Sequence, residues 1–302
     1  MNGIINVLKP PGMTSHDVVA RLRRQFKEKR IGHTGTLDPQ AAGVLPVCVG
    51  QATRLADLFS AKDKEYVCRL KFGVSTTTQD AWGEAILRRD ASGLRRADIE
   101  EVLPQLRGVI KQQVPAYSAV KINGVPLYKQ ARQGQNVEAV FREVTIYSLE
   151  LLEYRETEAL LQVHCSKGAY IRTLCHDLGE LLGSGAHLNF LLRTRSGSFQ
   201  LKDSYTLEEI AAGKPGYLLS PGQCLEGMLF VPAGRPELAL LYNGRSIELP
   251  PEYEKMQPDG SLAAVVDQDN NLHALAEIVE SNGRIMLKPK KVFKMETLYA
   301  DH

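Results

Sequence analysis

One carboxylate is placed where it could do chemistry. Asp38 lies in IGHTGTLDPQAAGVLPV, residues 31–47, between His33 and a proline. Gly32, Gly35 and Gly43 allow close backbone approach or positive φ around it. An Asp-Pro step alone is most often a turn. Here the loop runs into an apolar segment, and such a loop can present a carboxylate at a cleft floor, as nucleophile or general base. An essential carboxylate needs a cation nearby to keep it ionised and oriented. Arg172, in SKGAYIRT, stands at a predicted helix start. The helix dipole disfavours a cation there unless a specific partner holds it.

Three further residues carry two readings each. Tyr66, in KDKEYVCRL, is either an ordinary sheet aromatic or a ring that stacks on a base or sugar. His33 is either a hydrogen-bonded loop histidine or a flat wedge beside an extruded base. Lys9, in VLKPPGMTS, is either a solvated turn or a phosphate contact. The stretch is not a P-loop, and no GxGxxG follows a strand. With no metal-ligand spacing either, the chain points away from metal hydrolysis and redox cofactors.

These residues need a scaffold, and 302 residues with 43% hydrophobic content supply one large domain or two unequal ones. The strand-turn-helix start uses Ile4, Ile5, Val7 and Leu8, then Pro10, Pro11 and Gly12, then a helix capped by Thr14 and Asp17. Val18, Val19, Leu22 and Phe26 form its apolar stripe, with Arg21, Arg23, Arg24 and Lys27 largely off it. Strands are predicted at 66–74, over FREVTIYSLELLEY and EALLQVHCSKG, and over AHLNFLLRTRSGSF. A helix over AYIRTLCHDLGELLG places Leu174, Leu178, Leu181 and Leu182 on one side. The elements mix without a βαβ rhythm, which favours α+β with a mixed, mostly antiparallel sheet flanked by helices. AGRPE is a linker signal, and a second unit of short strands, 235–302, reads as a small β-barrel-like module.

The net charge is +2, yet residues 1–31 hold seven Lys/Arg against two acids. A local basic face of this kind attracts nucleic acid. The five cysteines form no CxxC pair, and the bland reading is reduced thiols in a cytosolic protein. No apolar run reaches about 18 residues, and MNGIINVLKPPG lacks a signal-peptide layout. A cytoplasmic protein with no membrane span is expected.

The blocks LKPPGMTS, GHTGTLDPQAAGVLPV, KEYVCRLKFG, VPAYSAVKING, CSKGAYIRTL and GAHLNFLLRT resemble, in order and spacing, the TruB family of tRNA pseudouridine synthases. GRIMLKPKKVF resembles the end of a PUA RNA-binding domain. The resemblance covers nearly the whole chain. It implies a catalytic domain over 1–234, with a tRNA-clamping insertion near 123–140, and a PUA-like domain over 235–302. It implies isomerisation of uridine-55 in the tRNA T-loop, with no cofactor, by a monomer that needs no obligatory protein partner. It makes Asp38 the essential aspartate, Arg172 its ion-pair partner and Tyr66 the ring stacked on the target base. His33 would fill the place of the flipped base, and Tyr170 and Leu191 would line the uridine site. Lys9 would support the loop, with a possible backbone contact, and Asp80 and Arg193 would contact RNA.

Two positions depart from the family pattern. Thr77 stands where the family often has an acid, and Leu192 where it often has an arginine. A tRNA-binding or folding chaperone is the alternative from another class, and the same chemistry on another RNA, with partner proteins, is a third. An intact Asp38, Tyr66 and Arg172 favour an enzyme.

Overall fold

The computed structural model describes residues 1–118, 120–122, 124–133, 139–253 and 257–294. A ten-stranded sheet forms its larger part. Its main path runs Leu218–Leu219, Gly3–Lys9, Ala42–Val49, Ala186–Ser196, Lys64–Phe72, Glu158–Cys165, Phe141–Arg155 and Gly108–Gln113. Ile31–His33 pairs with Ala42–Val49, and Phe199–Gln200 with Ala186–Ser196. The pairings in this sheet are antiparallel except where Ala42–Val49 meets Ala186–Ser196. The expected mixed, mostly antiparallel sheet with flanking helices is the one observed.

Alternation along the strands divides the core between the two faces of the sheet. Ile5 and Val7 join Cys68, Leu70, Leu161 and Val163 under helices Ser15–Phe26 and Ile171–Leu181. Ile4 and Cys48 point the other way, into a cluster with Phe59, Phe199, Ala264 and Leu275. That second cluster fastens the smaller sheet to the back of the larger one. The helix at Ser15–Phe26 starts as its sequence dictates: Thr14 Oγ1 accepts from Asp17 N–H at 3.0 Å, and Asp17 Oδ2 accepts from Thr14 N–H at 2.9 Å. In Ile171–Leu181, Leu174 and Leu178 are buried as expected; Leu181 is 45% exposed, and Leu182 takes the packing position.

The smaller sheet has five strands in the order Leu229–Pro232, Leu262–Val266, Leu272–Ser281, Arg284–Val292 and Ile247–Glu248. Its first strand precedes residue 235, because Leu229–Pro232 pairs in parallel with Ala263–Val266. Within the 123–140 region lie Val125–Pro126 and a helix at Leu127–Arg132; residues 123 and 134–138 fall outside the described residues. Among the described residues, no helix is long and apolar enough to cross a membrane.

Candidate active site

The parallel seam positions Asp38. Across it Arg193 is opposite Gly43, and on the neighbouring strand Arg193 is opposite Tyr66. One residue therefore borders both the exit of the Asp38 loop and the tyrosine. Gly43 has φ +113°, and a Cβ there would lie 2.2 Å from the Arg193 carbonyl oxygen. Glycine is required for the two backbones to approach this closely.

The loop is fastened on both sides of Asp38. Ser15 Oγ donates to Leu37 O at 3.1 Å and accepts from Leu37 N–H at 2.8 Å. Lys9 Nζ donates to Pro39 O at 3.0 Å, and also to Pro10 O and Met13 O at 2.8 and 2.6 Å. Gly12 N–H donates to Pro39 O at 2.9 Å. Arg193 Nε donates to Val44 O at 2.7 Å and Nη2 to Gly35 O at 3.1 Å, so its guanidinium spans the base of the loop. Leu37 and Pro39 are thus pinned, while the Asp38 side chain between them stays 41% exposed.

Arg172 meets that carboxylate from the helix side. Its side chain is 5% exposed, and Nε lies 2.9 Å from Asp38 Oδ2. Nε–H is not aligned on an acceptor, but Nη2 donates to Asp38 Oδ1 at 3.4 Å, so the ion pair carries one long hydrogen bond. Nη1 donates to Thr78 O at 2.9 Å and Nη2 to Tyr117 O at 3.0 Å. Two backbone carbonyls therefore hold the cation that faces Asp38. Asp80 Oδ2 is 3.9 Å from Nη1, which makes it the outer acid of the group. The helix start itself is set by Gln112, 1% exposed, whose carboxamide donates to Tyr170 O at 3.2 Å and accepts from Tyr170 N–H at 3.0 Å.

Beneath the loop the field is positive. Lys9, Lys64 and Arg193 are all buried. Burial lowers the Lys9 ammonium to about 8, with Asp38 opposing the shift. Burial, helped by Arg193, lowers Lys64 to about 8 as well. Tyr66 is 8% exposed; burial pushes its phenol up, although the charge of the neighbouring Arg193 guanidinium acts the other way. His33 ends the Ile31–His33 strand opposite Val47. Burial, then the charges of Arg193 and His16, lower its pKa, and its Nδ1 is buried without a hydrogen-bond partner. Tyr170 is half-buried, and Leu191 is 8% exposed opposite Cys68.

Asp38, Arg172 and Asp80 thus come together at the open side, with Tyr66 packed beside Arg193. Lys9 and Arg193 sit below, 0% and 1% exposed, with their charged groups on loop carbonyls rather than on the open face. Thr77 pairs with Glu84: its N–H donates to Glu84 O at 2.9 Å, and its Oγ1 accepts from Glu84 N–H at 3.1 Å. Leu192 lies opposite Ala42 and Val67, one residue out of phase with Arg193. Sequence reasoning missed Ser15, Gln112 and the carbonyls of Thr78 and Tyr117. Ser15 adjoins the capping Thr14 and could have been found; Gln112 reads as an ordinary polar strand residue. Among the described residues, no group of three or more His, Cys, Asp or Glu could hold a metal ion.

Residues 23–171 match the model of the TruB family pseudouridylate synthase N-terminal domain, and residues 172–215 that of the tRNA pseudouridylate synthase B C-terminal domain. The chain is 43% identical to tRNA pseudouridine synthase B of Heliobacterium modesticaldum, over 98% of this chain and 97% of that one. It is 53% identical to the protein of the same name from Symbiobacterium thermophilum, over 76% and 77% of the two chains. A solved H/ACA ribonucleoprotein bound to a substrate RNA containing 2′-deoxyuridine contains a chain of similar fold. Its TM-score is 0.73, at 25% identity, covering 98% of this chain and 86% of that one. A Cbf5–Nop10–Gar1 complex gives a TM-score of 0.72 at 27% identity, over 98% and 86%.

Proposed function

This chain belongs to the TruB family of pseudouridylate synthases, and from that premise we propose that it converts uridine-55 in the T-loop of tRNA to pseudouridine, with Asp38 as the essential carboxylate. The observation that carries the reading is a half-exposed Asp38 held against a buried Arg172 that is itself fixed by two backbone carbonyls. A carboxylate so placed faces a fixed cation and keeps one orientation.

The reaction breaks the bond between C1′ and N1, turns the uracil and joins C1′ to C5. C5 loses a proton and N1 gains one, so composition is unchanged and no outside reagent is consumed. Asp38 acts on the nucleoside by addition to the ring, attack at C1′ or removal of the 2′ proton. All three routes need its carboxylate directly against a nucleoside whose base has left the stack. Flipping the base costs a few kcal/mol. Tyr66 offsets part of that by stacking on the flipped ring, and His33 by filling the vacated place. Tyr170 and Leu191 line the pocket and exclude water. Asp80 steadies Arg172 from outside, while Lys9 and Arg193 hold the loop beneath.

The chain acts on the T-arm alone, as a cytoplasmic monomer without a cofactor. Residues 1–234 form the catalytic domain, residues 123–140 clamp the tRNA, and residues 235–302 form a PUA-like RNA-binding domain that works with the strand at Leu229–Pro232. Pseudouridine mapping at nucleotide resolution, on an unmodified tRNA transcript incubated with the purified chain alone, tests this. One new pseudouridine at position 55 supports it. Tight binding without product would contradict the enzyme reading and favour a folding chaperone or a missing partner.

A further inference from the structure

We propose that Trp82 is a stacking platform for a nucleotide of the RNA substrate next to the target uridine. The proposal rests on the RNA-modifying reading and adds a contact to the same site. Trp82 is the one tryptophan of the chain and is 57% exposed. A large indole left in water forgoes the stabilisation that burial would give it, and its place on the loop that holds Arg172 is what points to an occupant.

The indole is carried on a fixed loop. The backbone N–H of Trp82 donates to Asp80 Oδ1 at 3.1 Å. Ala81 N–H donates to Leu188 O at 2.9 Å, and Leu188 N–H to Gln79 O at 3.0 Å, which staples the loop to the Ala186–Ser196 strand. Thr77 N–H donates to Glu84 O at 2.9 Å and closes the loop's base. A Cβ on Gly83 would lie 2.3 Å from Thr78 Oγ1, so the turn beside Trp82 is tight. The same loop holds Arg172, through the Thr78 carbonyl at 2.9 Å and Asp80 at 3.9 Å. Trp82 therefore stands on the rim of the Asp38 site, two residues from an acid that faces its arginine.

The strand after the loop adds exposed surface. Ile86, 64% exposed, and exposed Arg88 are two residues apart on Ala85–Arg88 and so share a face. An exposed aromatic ring on the loop that holds Arg172, with an exposed arginine on the strand that follows it, suits unpaired loop nucleotides. Such nucleotides offer a π-face whatever their sequence, and a phosphate for the cation. A protein partner could use apolar surface too, but the shared loop with Arg172 favours the RNA that enters the site.

A single tryptophan makes its own reporter. A T-arm RNA hairpin is titrated into the Asp38→Asn protein while tryptophan emission is read, and KM and kcat on tRNA are measured for wild type, Trp82→Ala and Trp82→Phe. Saturable quenching is expected. Trp82→Ala should raise KM about tenfold, in line with the loss of one stacked base, with a much smaller change in kcat; Trp82→Phe should recover most of the loss. Emission unchanged at saturating RNA, with the KM of Trp82→Ala within about twofold of wild type, overturns the proposal and leaves the surface to a protein. Absence of product with wild type would overturn the functional reading instead, and quenching by RNA would still decide the role of Trp82.

Discussion

The carbonyl oxygen of Arg193 lies where the Cβ of any other residue at position 43 would sit, 2.2 Å away. The Asp38 loop re-enters the sheet at Gly43 and runs parallel to the strand that carries Arg193. The arginine then reaches back to bind Val44 O and Gly35 O, so backbone contact and side-chain clamp fix one geometry.

Gly43→Ala should therefore displace the loop. The added methyl meets backbone, and the φ of +113° is strained for alanine. A stability loss of roughly 2–4 kcal/mol is expected, together with a drop in kcat of about 100-fold from misplacing Asp38. Urea unfolding and single-turnover rates measure the two. A folded Gly43→Ala protein with normal turnover would show that the close approach is dispensable.

Arg193→Lys separates positioning from RNA contact. Lysine keeps the charge but cannot span Val44 O and Gly35 O as the planar fork does. If Arg193 positions the loop, kcat should fall about 10- to 100-fold with KM nearly constant. An RNA phosphate contact would instead raise KM and reduce the salt dependence of binding.

Arg172→Lys should be more severe in kcat. An ammonium can face Asp38 but loses at least one of the two carbonyl anchors at Thr78 and Tyr117. A fall in kcat of about 100- to 1,000-fold is expected, with tRNA affinity within a fewfold of wild type, read by rapid-quench assay and filter binding. Near-normal kcat would mean that charge alone suffices.

A cluster behind the site makes a pH-dependent prediction. Burial acts to raise the Asp63 pKa, but hydrogen bonds from His164 and Arg195 outweigh it and hold the carboxyl at about 2. Its pKa is lower folded than unfolded, so its stabilisation is present above about pH 4. It fades as pH falls through the unfolded value of 3.8 toward 2. Asp63→Asn should cost about 1–2 kcal/mol at pH 7, the group being partly exposed. That difference from wild type should shrink in urea unfolding between pH 5 and 3. A difference that is independent of pH would exclude the ion cluster as its source.

Much of this site was legible in the residues because local chemistry wrote it. The Thr14–Asp17 cap, the glycine-rich Asp38 loop and the helix opening at Arg172 are signals within short stretches. Arg172, 134 residues from Asp38, was one candidate cation until the family resemblance made it the partner, because spacing does not encode contacts between distant segments. The inward turn of Arg193 was not legible, and that of Lys9 came only as the loop support that the family resemblance implies. A cation in a turn or strand reads as solvent-facing, and only the loop carbonyls folded over it make burial tolerable. Gln112 was invisible for the same reason: its value lies in a backbone 58 residues away. The start of the smaller sheet at Leu229 was hidden because a parallel partner, unlike a hairpin, leaves no turn signal between the strands.

The most direct test of Asp38 compares turnover with binding in Asp38→Asn. The substitution is close to isosteric and removes the charge that faces Arg172. Product formation and tRNA affinity are measured on the same folded protein. Loss of detectable pseudouridine, with affinity within a fewfold of wild type, is the expected result. Turnover near the wild-type rate would remove Asp38 from the chemistry and contradict the account.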